Sequence, residues 1–341
     1  MSYRRVPWMG LALIVVGLAL VSSSRAQDFY ADRNLKMIVT YNPGGGYDAY
    51  SRVIARHLSR HIPGEPNIIV QNMPGAAGVI GASYLYRIAP RDGSTVGGLG
   101  PTQMIRQAVG GGPDLKFEAD KFNWLAAANG GDVMACIVRS GLGVKNLDDA
   151  VKRSEPLIIG ATAPNSSTAT WAKVYKELLG ANFKIISGYG GTTGIRAAMD
   201  RGELDGGCWQ WSSISVTAGP MLSDGSALVF TQLGMKKAPT LAEVENALER
   251  TKGTDRAVLT ALLAETALGR PYAAPPDVPA DRVQILRNGF MKTFEDPKFL
   301  EDAKRLGLQI DPIGGEELQK LVNELAALPE QTKERAKKLM E

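Results

Sequence analysis

Three short segments of the sequence combine glycine with hydroxyl-bearing residues in a way that suits the binding of an anion. They are "NPGGGYD" (Asn42–Asp48), "TAPNSST" (Thr162–Thr168) and "GYGGTT" (Gly188–Thr193), and each follows an apolar run and precedes a helical pattern. A helix start presents free N–H groups and roughly half a positive charge, while glycine lets the backbone approach a ligand closely. Three such loops at one place would hold a carboxylate without any arginine.

Apolar runs alternate with helical patterns along the chain, and these elements must position the loops. The run "LKMIVT" precedes the first loop, and the following helix has Tyr50, Val53 and Leu58 on one face. The same strand–loop–helix order recurs around the second and third loops. This order predicts an α/β fold with a mainly parallel sheet covered on both faces, whose ligand-binding loops follow the carboxyl ends of the strands. From Pro271 onward the pattern predicts helices without a further run of strands, the first beginning at Arg282.

Several side chains near these loops have both a structural and a functional interpretation. Asp48 lies in a first helical turn, where it can cap the helix or accept a hydrogen bond from a ligand amine or from water. For this loop taken alone, a plain strand-to-helix turn is the alternative. The stretch "CWQWSS" is expected to place Trp209 and Trp211 on one face of a strand, either in a core or along a cleft. Arg106 and Arg196 are candidates for binding a second ligand carboxylate.

The sequence lacks the common signatures of cofactor, metal and nucleophile sites. It contains no Gly-Lys dipeptide for a phosphate loop and no G-x-S-x-G elbow. His57 and His61 are spaced four residues apart, but no cysteine or carboxylate stands at ligand spacing beside them, which favours a helix surface over a metal site. Cys136 and Cys208 could pair in an exported protein, although the sequence favours two separate buried thiols. We therefore expect neither a metal nor a cofactor.

The first residues have the pattern of a cleavable secretory signal peptide. The pair Arg4-Arg5 precedes an apolar run over Trp8–Val21, and the small residues Ser24 and Ala26 predict cleavage after Ala26. A transmembrane anchor is the alternative, but the run is shorter than the roughly 20 residues that span a bilayer. Cleavage removes three arginines and lowers the formal charge from +4 to +1, which argues against nucleic acid or an anionic membrane as a partner. Export by the Sec or the twin-arginine route is left open.

Taken together, the motifs resemble one family, the extracytoplasmic solute receptors of tripartite tricarboxylate transporters (Bug-type, TctC-like periplasmic binding proteins). The motif residues are Pro43, Gly44, Gly45 and Asp48; Asn72, Pro74, Gly75 and Gly78; and Pro90, Asp92 and Gly93. The likeness continues through "YGGTTGIRAAMDRGELDGG", "KAPTLAEV" and "DPKFLEDAKRLGLQIDPIGGEEL". It covers nearly the whole chain after the predicted signal peptide.

The resemblance implies a two-lobed periplasmic-binding-protein-like fold (type II), with two doubly wound α/β domains joined by two crossing strands. Residues 28–132 and 228–341 would form the first lobe, residues 133–227 the second, and residues 1–26 the signal peptide. The family implies a periplasmic receptor, a monomer and not an enzyme, that captures a small organic carboxylate between the lobes. It would deliver that ligand to the membrane permease subunits of the transporter.

The loops and the resemblance together give a set of predicted ligand-binding residues. These are Asn42, Gly44, Gly45, Gly46, Asp48, Thr102, Thr162, Asn165, Ser166, Ser167, Thr168, Tyr189, Gly191, Thr192 and Trp209. The second loop departs from the family pattern, because it lacks glycine and has Thr170 near the place of a histidine. A secreted enzyme acting on a carboxylated small molecule and a sensory receptor for a membrane kinase remain alternatives. The identity of the acid, its number of carboxyl groups and the presence of an aromatic ring are left open.

Overall fold

The computed structural model describes residues 29–341, so the predicted signal peptide lies outside the described residues. Within this range the strands are β1 (Asn34–Val39), β2 (Asn67–Asn72), β3 (Thr95–Gly98), β4 (Asn123–Ala127), β5 (Met134–Arg139), β6 (Leu157–Ala161), β7 (Phe183–Ser187), β8 (Gly206–Gln210), β9 (Ala227–Leu233), β10 (Pro271–Ala274) and β11 (Ile313–Gly314). The helices are α1 (Gly46–Leu58), α2 (Val79–Arg87), α3 (Pro101–Ala108), α4 (Leu147–Lys152), α5 (Ser167–Glu177), α6 (Gly191–Asp200), α7 (Trp211–Thr217), α8 (Gly219–Ser223), α9 (Gly253–Leu262), α10 (Ala264–Leu268), α11 (Ala280–Glu295), α12 (Pro297–Arg305), α13 (Gly315–Ala326) and α14 (Glu330–Met340).

In the described part of the chain, the strands form two mixed sheets with the same plan. The six-stranded sheet has the order β11-β4-β10-β3-β1-β2, and the five-stranded sheet has the order β7-β6-β8-β5-β9. Strand β1 is parallel to β2 and β3, and β6 is parallel to β7 and β8, as the alternation of strands and helices predicts. Antiparallel strands complete both sheets. The loops after β1, β6 and β7 therefore leave parallel strands at their carboxyl ends.

The chain passes between the two sheets twice, from β4 to β5 and from β9 toward β10. Strands of the six-stranded sheet accordingly come from residues 34–127 and 271–314, and those of the five-stranded sheet from residues 134–233. Strand β9 pairs in the five-stranded sheet although residues 228–341 are expected in the first lobe, and the lobe boundaries stay a prediction. One buried cluster joins residues of both sheets, including Trp124 of β4 and Cys136 of β5, so the two halves share part of their core.

Two expectations for the last third of the chain are wrong. Pro271–Ala274 is strand β10, which lies inside the six-stranded sheet between β3 and β4. The strand is only four residues long and begins with a proline, which donates no ladder hydrogen bond, so the segment has no clear strand pattern. The next helix begins at Ala280 rather than at Arg282, and its N-cap residue is Pro279.

Cys136 and Cys208 form a disulfide, so the expectation of two separate thiols is also wrong. The two residues are 72 positions apart in the sequence, but they are direct partners in the antiparallel register of β5 and β8. Both are fully buried. The pairing follows from strand register, which the spacing of the cysteines along the chain does not reveal.

His57 lies on helix α1 and His61 in the short 3-10 turn that follows it, and each meets a carboxylate on α12 or at its N-cap. His57 Nε2 lies 3.1 Å from Asp302, and His61 Nε2 lies 2.8 Å from Asp296. These contacts tie α1 to α11 and α12. Among residues 29–341, there is no group of three or more His, Cys, Asp and Glu side chains that could hold a metal ion. None of the helices over the same residues is both long and apolar enough to span a membrane.

Candidate ligand-binding cleft

The three predicted loops meet around one cavity between the two sheets. The predicted residues that line it are Asn42, Gly45, Gly46, Thr162, Ser166, Ser167, Thr168, Gly191, Thr192 and Trp209. Sequence reasoning missed five further lining residues: Tyr41, Tyr47, Gln210, Ser213 and Arg270. The cavity has a volume of about 60 Å³. It therefore has room for only a few water molecules.

Helices α1 and α6 both begin at the cavity, with glycine at their first residues. Gly45 is the N-cap of α1 and Gly190 that of α6, and no side chain among residues 29–341 caps either helix. The first N–H groups of a helix have no partner within the helix, so both starts can donate to an acceptor in the cavity.

The start of helix α5 differs from the other two, because the hydroxyl groups of its own residues accept hydrogen bonds from nearby backbone N–H groups. The Ser166 hydroxyl accepts a hydrogen bond from the Ala169 N–H, and the Thr168 hydroxyl accepts one from the Thr162 N–H at 2.9 Å. These bonds stabilise the second loop without any glycine. They also leave fewer free donors there than in the first and third loops.

Gly46 allows helices α1 and α7 to approach closely beside the cavity. A Cβ atom at position 46 would lie 2.8 Å from the Cβ and from the Oγ of Ser213. A Cβ at Gly45 would instead be 3.7 Å from the carbonyl oxygen of Asn42 and from the Thr192 hydroxyl, which is ordinary contact. Glycine is therefore required at position 46 for packing. Position 45, in contrast, has room for a Cβ atom between the first and third loops.

Asp48 does not line the cavity, and its carboxylate holds the first loop instead. It accepts hydrogen bonds from the Gly44 N–H, the Arg52 Nε and the Asn72 Nδ2, each at 2.9 Å. Burial alone would raise the pKa of Asp48, but the hydrogen bonds from Arg52, Gly44 and Asn72 lower it. Asp48 therefore stays ionised. Gly44, with a φ of +81°, belongs to the same turn and also lies outside the cavity lining.

Three other predicted residues lie beside the cavity rather than around it. The Thr102 hydroxyl donates to the buried carboxyl of Glu265, which also accepts from the Ser167 hydroxyl. The carbonyl oxygen of Asn165 accepts from the Gln103 amide at 3.0 Å. Tyr189 lines an adjacent cavity of about 140 Å³. These contacts join the second loop to helices α3 and α10 on the side of the six-stranded sheet.

Arg270 supplies a buried positive charge to the cavity, which contradicts the expectation that uncharged groups alone would surround the ligand. Its side chain is 1% exposed, and its Nη2 donates to the Ser212 hydroxyl at 2.6 Å. Ser212 in turn donates to Asp132, whose carboxylate oxygen lies 3.9 Å from the guanidinium. Burial raises the pKa of Asp132, although the Arg270 charge opposes this shift.

Glycine at position 269 brings Arg270 into place. Gly269 has a φ of +59°, and a Cβ there would lie 1.5 Å from the carbonyl oxygen of Asn129. Only glycine fits this crossing of two backbones. A glycine directly before an arginine and a short apolar run is the one sequence feature that could have pointed to Arg270.

Aromatic rings cover a large part of the remaining lining. Tyr41 and Tyr47 are stacked, with ring centroids 4.4 Å apart, and the guanidinium carbon of Arg270 lies 4.3 Å from the centroid of the Tyr47 ring. Burial raises the pKa of both tyrosines, so they stay protonated at neutral pH. The cavity therefore combines N–H donors with apolar walls.

Three further expectations about side chains are wrong. Trp211 begins helix α7 because β8 ends at Gln210, so the two indoles do not share a strand face; the Trp211 N–H donates to Thr240. Arg106 forms an ion pair with Asp114, and Arg196 one with Asp200. Neither arginine lines the cavity.

Comparison with proteins of known sequence supports the resemblance over part of the chain. A protein of Pseudomonas sp. (strain P51), named UPF0065 protein in tcbD-tcbE intergenic region, is 36% identical over 93 residues, which is 26% of this chain and 27% of that protein. Protein BugT of Bordetella pertussis (strain Tohama I / ATCC BAA-589 / NCTC 13251) is 39% identical over 93 residues, or 27% of each chain. The match thus spans about a quarter of the length of these relatives. No protein-family model matches the chain.

Comparison with solved structures covers nearly the whole chain. The periplasmic binding protein BugD superposes with a TM-score of 0.72 at 21% identity, over 91% of this chain and 98% of that one. MatC (Rpa3494) from Rhodopseudomonas palustris with bound malate gives 0.69 at 20% identity, over 91% and 99%. Rpa4515 of R. palustris with adipate gives 0.70 at 18% identity, over 89% and 97%.

The fold and the cleft define the class: the chain has the two-lobed, type II periplasmic-binding-protein-like fold. Within this class, the sequence matches to UPF0065 and BugT and the structural match to BugD confirm the resemblance to Bug-type, TctC-like periplasmic binding proteins. BugD is named as a periplasmic binding protein, in agreement with the expectation of a receptor rather than an enzyme.

Proposed function

We propose that this chain is a periplasmic solute-binding receptor for a small organic carboxylate. The ligand binds in the cavity between the two sheets and is delivered to the membrane permease subunits of a tripartite tricarboxylate-type transporter. The observation that carries the proposal is the convergence of three strand-end loops and one buried arginine on a single cavity. The structural relatives with bound malate and adipate support the choice of a carboxylate.

The helix starts and Arg270 provide the attraction for an anion. A helix N-terminus stabilises a nearby negative charge by about 0.3–1 kcal/mol when exposed and by up to ~2 kcal/mol when partly buried. Helices α1 and α6 both offer such a start, and a hydrogen bond to a charged donor such as Arg270 adds about 1.5–3 kcal/mol. At the upper ends of their ranges these contributions sum to about 7 kcal/mol, close to the roughly 8 kcal/mol that a micromolar dissociation constant requires.

Movement of the two halves is part of the proposal, because the cavity is too small for an acid of four or more carbon atoms in the described conformation. Its volume of about 60 Å³ suits a few water molecules. The walls come from both sheets, so a rotation about the two crossing segments would open the cavity and close it again over the ligand. Closure expels water and strengthens each hydrogen bond to the anion.

A thermal-shift screen followed by calorimetry tests this proposal. Malate, adipate and a panel of other small organic acids are compared with their uncharged amides, and a true ligand raises the melting temperature with the logarithm of its concentration once that concentration exceeds Kd. We expect at least one acid to bind, and its amide to bind much more weakly. Failure of every acid, or equal binding of an acid and its amide, would contradict carboxylate recognition.

Two variants at one position locate the site. Gly45→Leu places a large side chain at the cavity and should abolish binding, whereas Gly45→Ala fits the 3.7 Å spacing and should retain most of it. Delivery to a permease is tested separately by copurification of the acid-loaded protein with membrane proteins; recovery of a membrane kinase instead would favour a sensory receptor.

A further inference from the structure

Glu265 is a buried acid that ligand binding does not use. The residue is 1% exposed and lies outside the cavity lining. Its three hydrogen-bond donors are neutral groups: the hydroxyls of Thr102 and Ser167 donate to Oε1, and the indole N–H of Trp171 donates to Oε2 at 2.9 Å. Burial raises the pKa of the carboxyl group, although these hydrogen bonds oppose the shift. A glutamate is seldom buried without such partners, and here it connects three side chains.

The three donors come from both halves of the molecule. Thr102 lies on α3, which follows β3 of the six-stranded sheet, whereas Ser167 and Trp171 lie on α5, which follows β6 of the five-stranded sheet. Glu265 itself lies on α10, which packs against α3 and α13. Positions 167 and 171 are about one turn apart, so both donors of α5 lie on one face of that helix. The carboxyl group thus reaches from the six-stranded half to two donors of the other half.

The two donors on α5 connect the shared core with the cavity. Trp171 is fully buried in the cluster that joins both sheets, whereas Ser167 lines the cavity. Beside them, the Gln103 amide of α3 donates to the carbonyl oxygen of Asn165 at 3.0 Å. Because Ser167 belongs to the wall that comes from the five-stranded half, opening of the cavity would carry its hydroxyl away from Glu265.

We propose that Glu265 is a latch that stabilises the closed arrangement of the two halves when no ligand is bound. Its bonds to Ser167 and Trp171 form only when α5 lies against α10, so they stabilise the closed conformation and not the open one. Thr102 holds the carboxyl group in position from α3. The proposal rests on the movement of the halves in the proposed function, but it does not depend on the chemistry of the ligand.

Labelling of a thiol inside the cavity measures how often the cavity opens in the absence of any ligand. Ser213 lines the cavity and is 4% exposed. Ser213→Cys introduces a single free thiol, because the two native cysteines, Cys136 and Cys208, form a disulfide. A cavity that holds only a few water molecules excludes iodoacetamide, so the reagent reacts with open molecules and the labelling rate is proportional to the open fraction.

Glu265→Gln in the Ser213→Cys protein should raise the labelling rate roughly tenfold, the factor expected when about one hydrogen bond to a charged acceptor is lost. A carboxylate accepts hydrogen bonds at both oxygens, but an amide has only one oxygen. Its NH2 group must either face the N–H of Trp171 or replace the acceptor of the two hydroxyls. Ser167→Ala is a second variant, in case Glu265→Gln does not fold, and it should raise the rate roughly three- to tenfold because it removes one bond between the halves.

Thr266→Val is the matched control beside Glu265 on α10. It removes a buried hydroxyl that donates to the carbonyl oxygen of Leu263, three positions earlier in the chain, and not to the other half. It should lower the free energy of unfolding in urea while leaving the labelling rate unchanged. A general loss of stability is thereby separated from loss of the latch.

Equal labelling rates in the Ser213→Cys protein and in both latch variants would overturn the proposal, and so would an equally large rise in Thr266→Val. Because no ligand is present, the measurement is independent of the acid screen. If no acid binds, the proposed function fails, while the labelling rates still decide whether Glu265 holds the halves together.

Discussion

Replacing Asp48 tests whether this acid holds the first loop or contacts the ligand. Its carboxylate contacts Gly44, Arg52 and Asn72 and lies outside the cavity lining. We expect Asp48→Ala to destabilise the protein and to weaken ligand binding indirectly, because the loop that carries Gly45 and Gly46 loses its anchor. Asp48→Asn, which keeps an acceptor oxygen, should do both to a smaller extent.

The size of the effect follows from the partners that remain. Loss of the acceptor of the Gly44 N–H costs about 0.5–2 kcal/mol, the magnitude measured when a helix loses its capping acceptor. The pair with Arg52 adds only about 0.2–1 kcal/mol, because that side chain is 46% exposed and water replaces the carboxylate. The Asn72 amide keeps its second acceptor, the carbonyl oxygen of Tyr41 at 3.0 Å. The free energy of unfolding of Asp48→Ala should therefore fall by about 1–3 kcal/mol.

Urea unfolding and calorimetry with the best acid of the screen measure the two effects on the same samples. We expect up to about a tenfold loss of affinity in Asp48→Ala, equal to ~1.4 kcal/mol, and a smaller loss in Asp48→Asn. A variant with unchanged stability and no binding would show that Asp48 contacts the ligand directly. A fall of more than about 5 kcal/mol would show that its role in the fold is larger than these contacts indicate.

Three other predictions concern packing, covalent cross-linking and acid. Gly46→Ala should cost about 1–3 kcal/mol of stability, because its Cβ overlaps Ser213, and calorimetry should show weaker binding. Replacing Cys136 and Cys208 together by serine should lower the free energy of unfolding by about 2–5 kcal/mol in a urea titration. Because the folded pKa of Asp48 is lowered, its contribution to stability is present above the unfolded value of about 3.9 and is lost as pH falls through the folded pKa; Asp48→Asn should flatten this part of a stability–pH curve.

Each of these has a control and a contrary result. Gly45→Ala is the control for Gly46→Ala, and equal losses in the two variants would contradict the packing account. For the disulfide, reducing agent should not lower the stability of the serine double variant any further. If reducing agent leaves the free energy of unfolding of the wild-type protein unchanged, even though it can reach the cysteines of the unfolded chain, the pairing is contradicted. A stability–pH curve that is identical in wild type and Asp48→Asn would contradict the ionic role.

The elements that carry the loops could be predicted from the sequence because their patterns are local. Each strand is an apolar run, each helix has a face with i, i+3, i+4 spacing, and the glycine or hydroxyl residues between them mark the turns. The meeting of the three loops follows from parallel strands, whose carboxyl ends lie at one edge. Gly45, Ser167 and Gly191 accordingly line the same cavity.

What the sequence did not reveal depends on contacts between distant segments. Arg270 lies 79 positions after Gly191 and shares no motif with the loops; it enters the cleft because β10 lies inside the first sheet and Gly269 crosses Asn129. The disulfide depends on the register of two strands, and the position of Trp211 depends on where β8 ends. Asp48 lies beside the first loop, as expected, but its hydrogen bonds from Arg52 and Asn72 show that its carboxylate stabilises the turn.

A crystal structure of the protein with the tightest-binding acid from the screen tests the central claim most directly. The account predicts ligand oxygens within hydrogen-bond distance of the N–H groups at the starts of α1 and α6 and of the Arg270 guanidinium, with the two halves closed over the acid. A ligand bound elsewhere, for example in the open groove beside Arg60 and Gln284, with this cavity still empty, would contradict it.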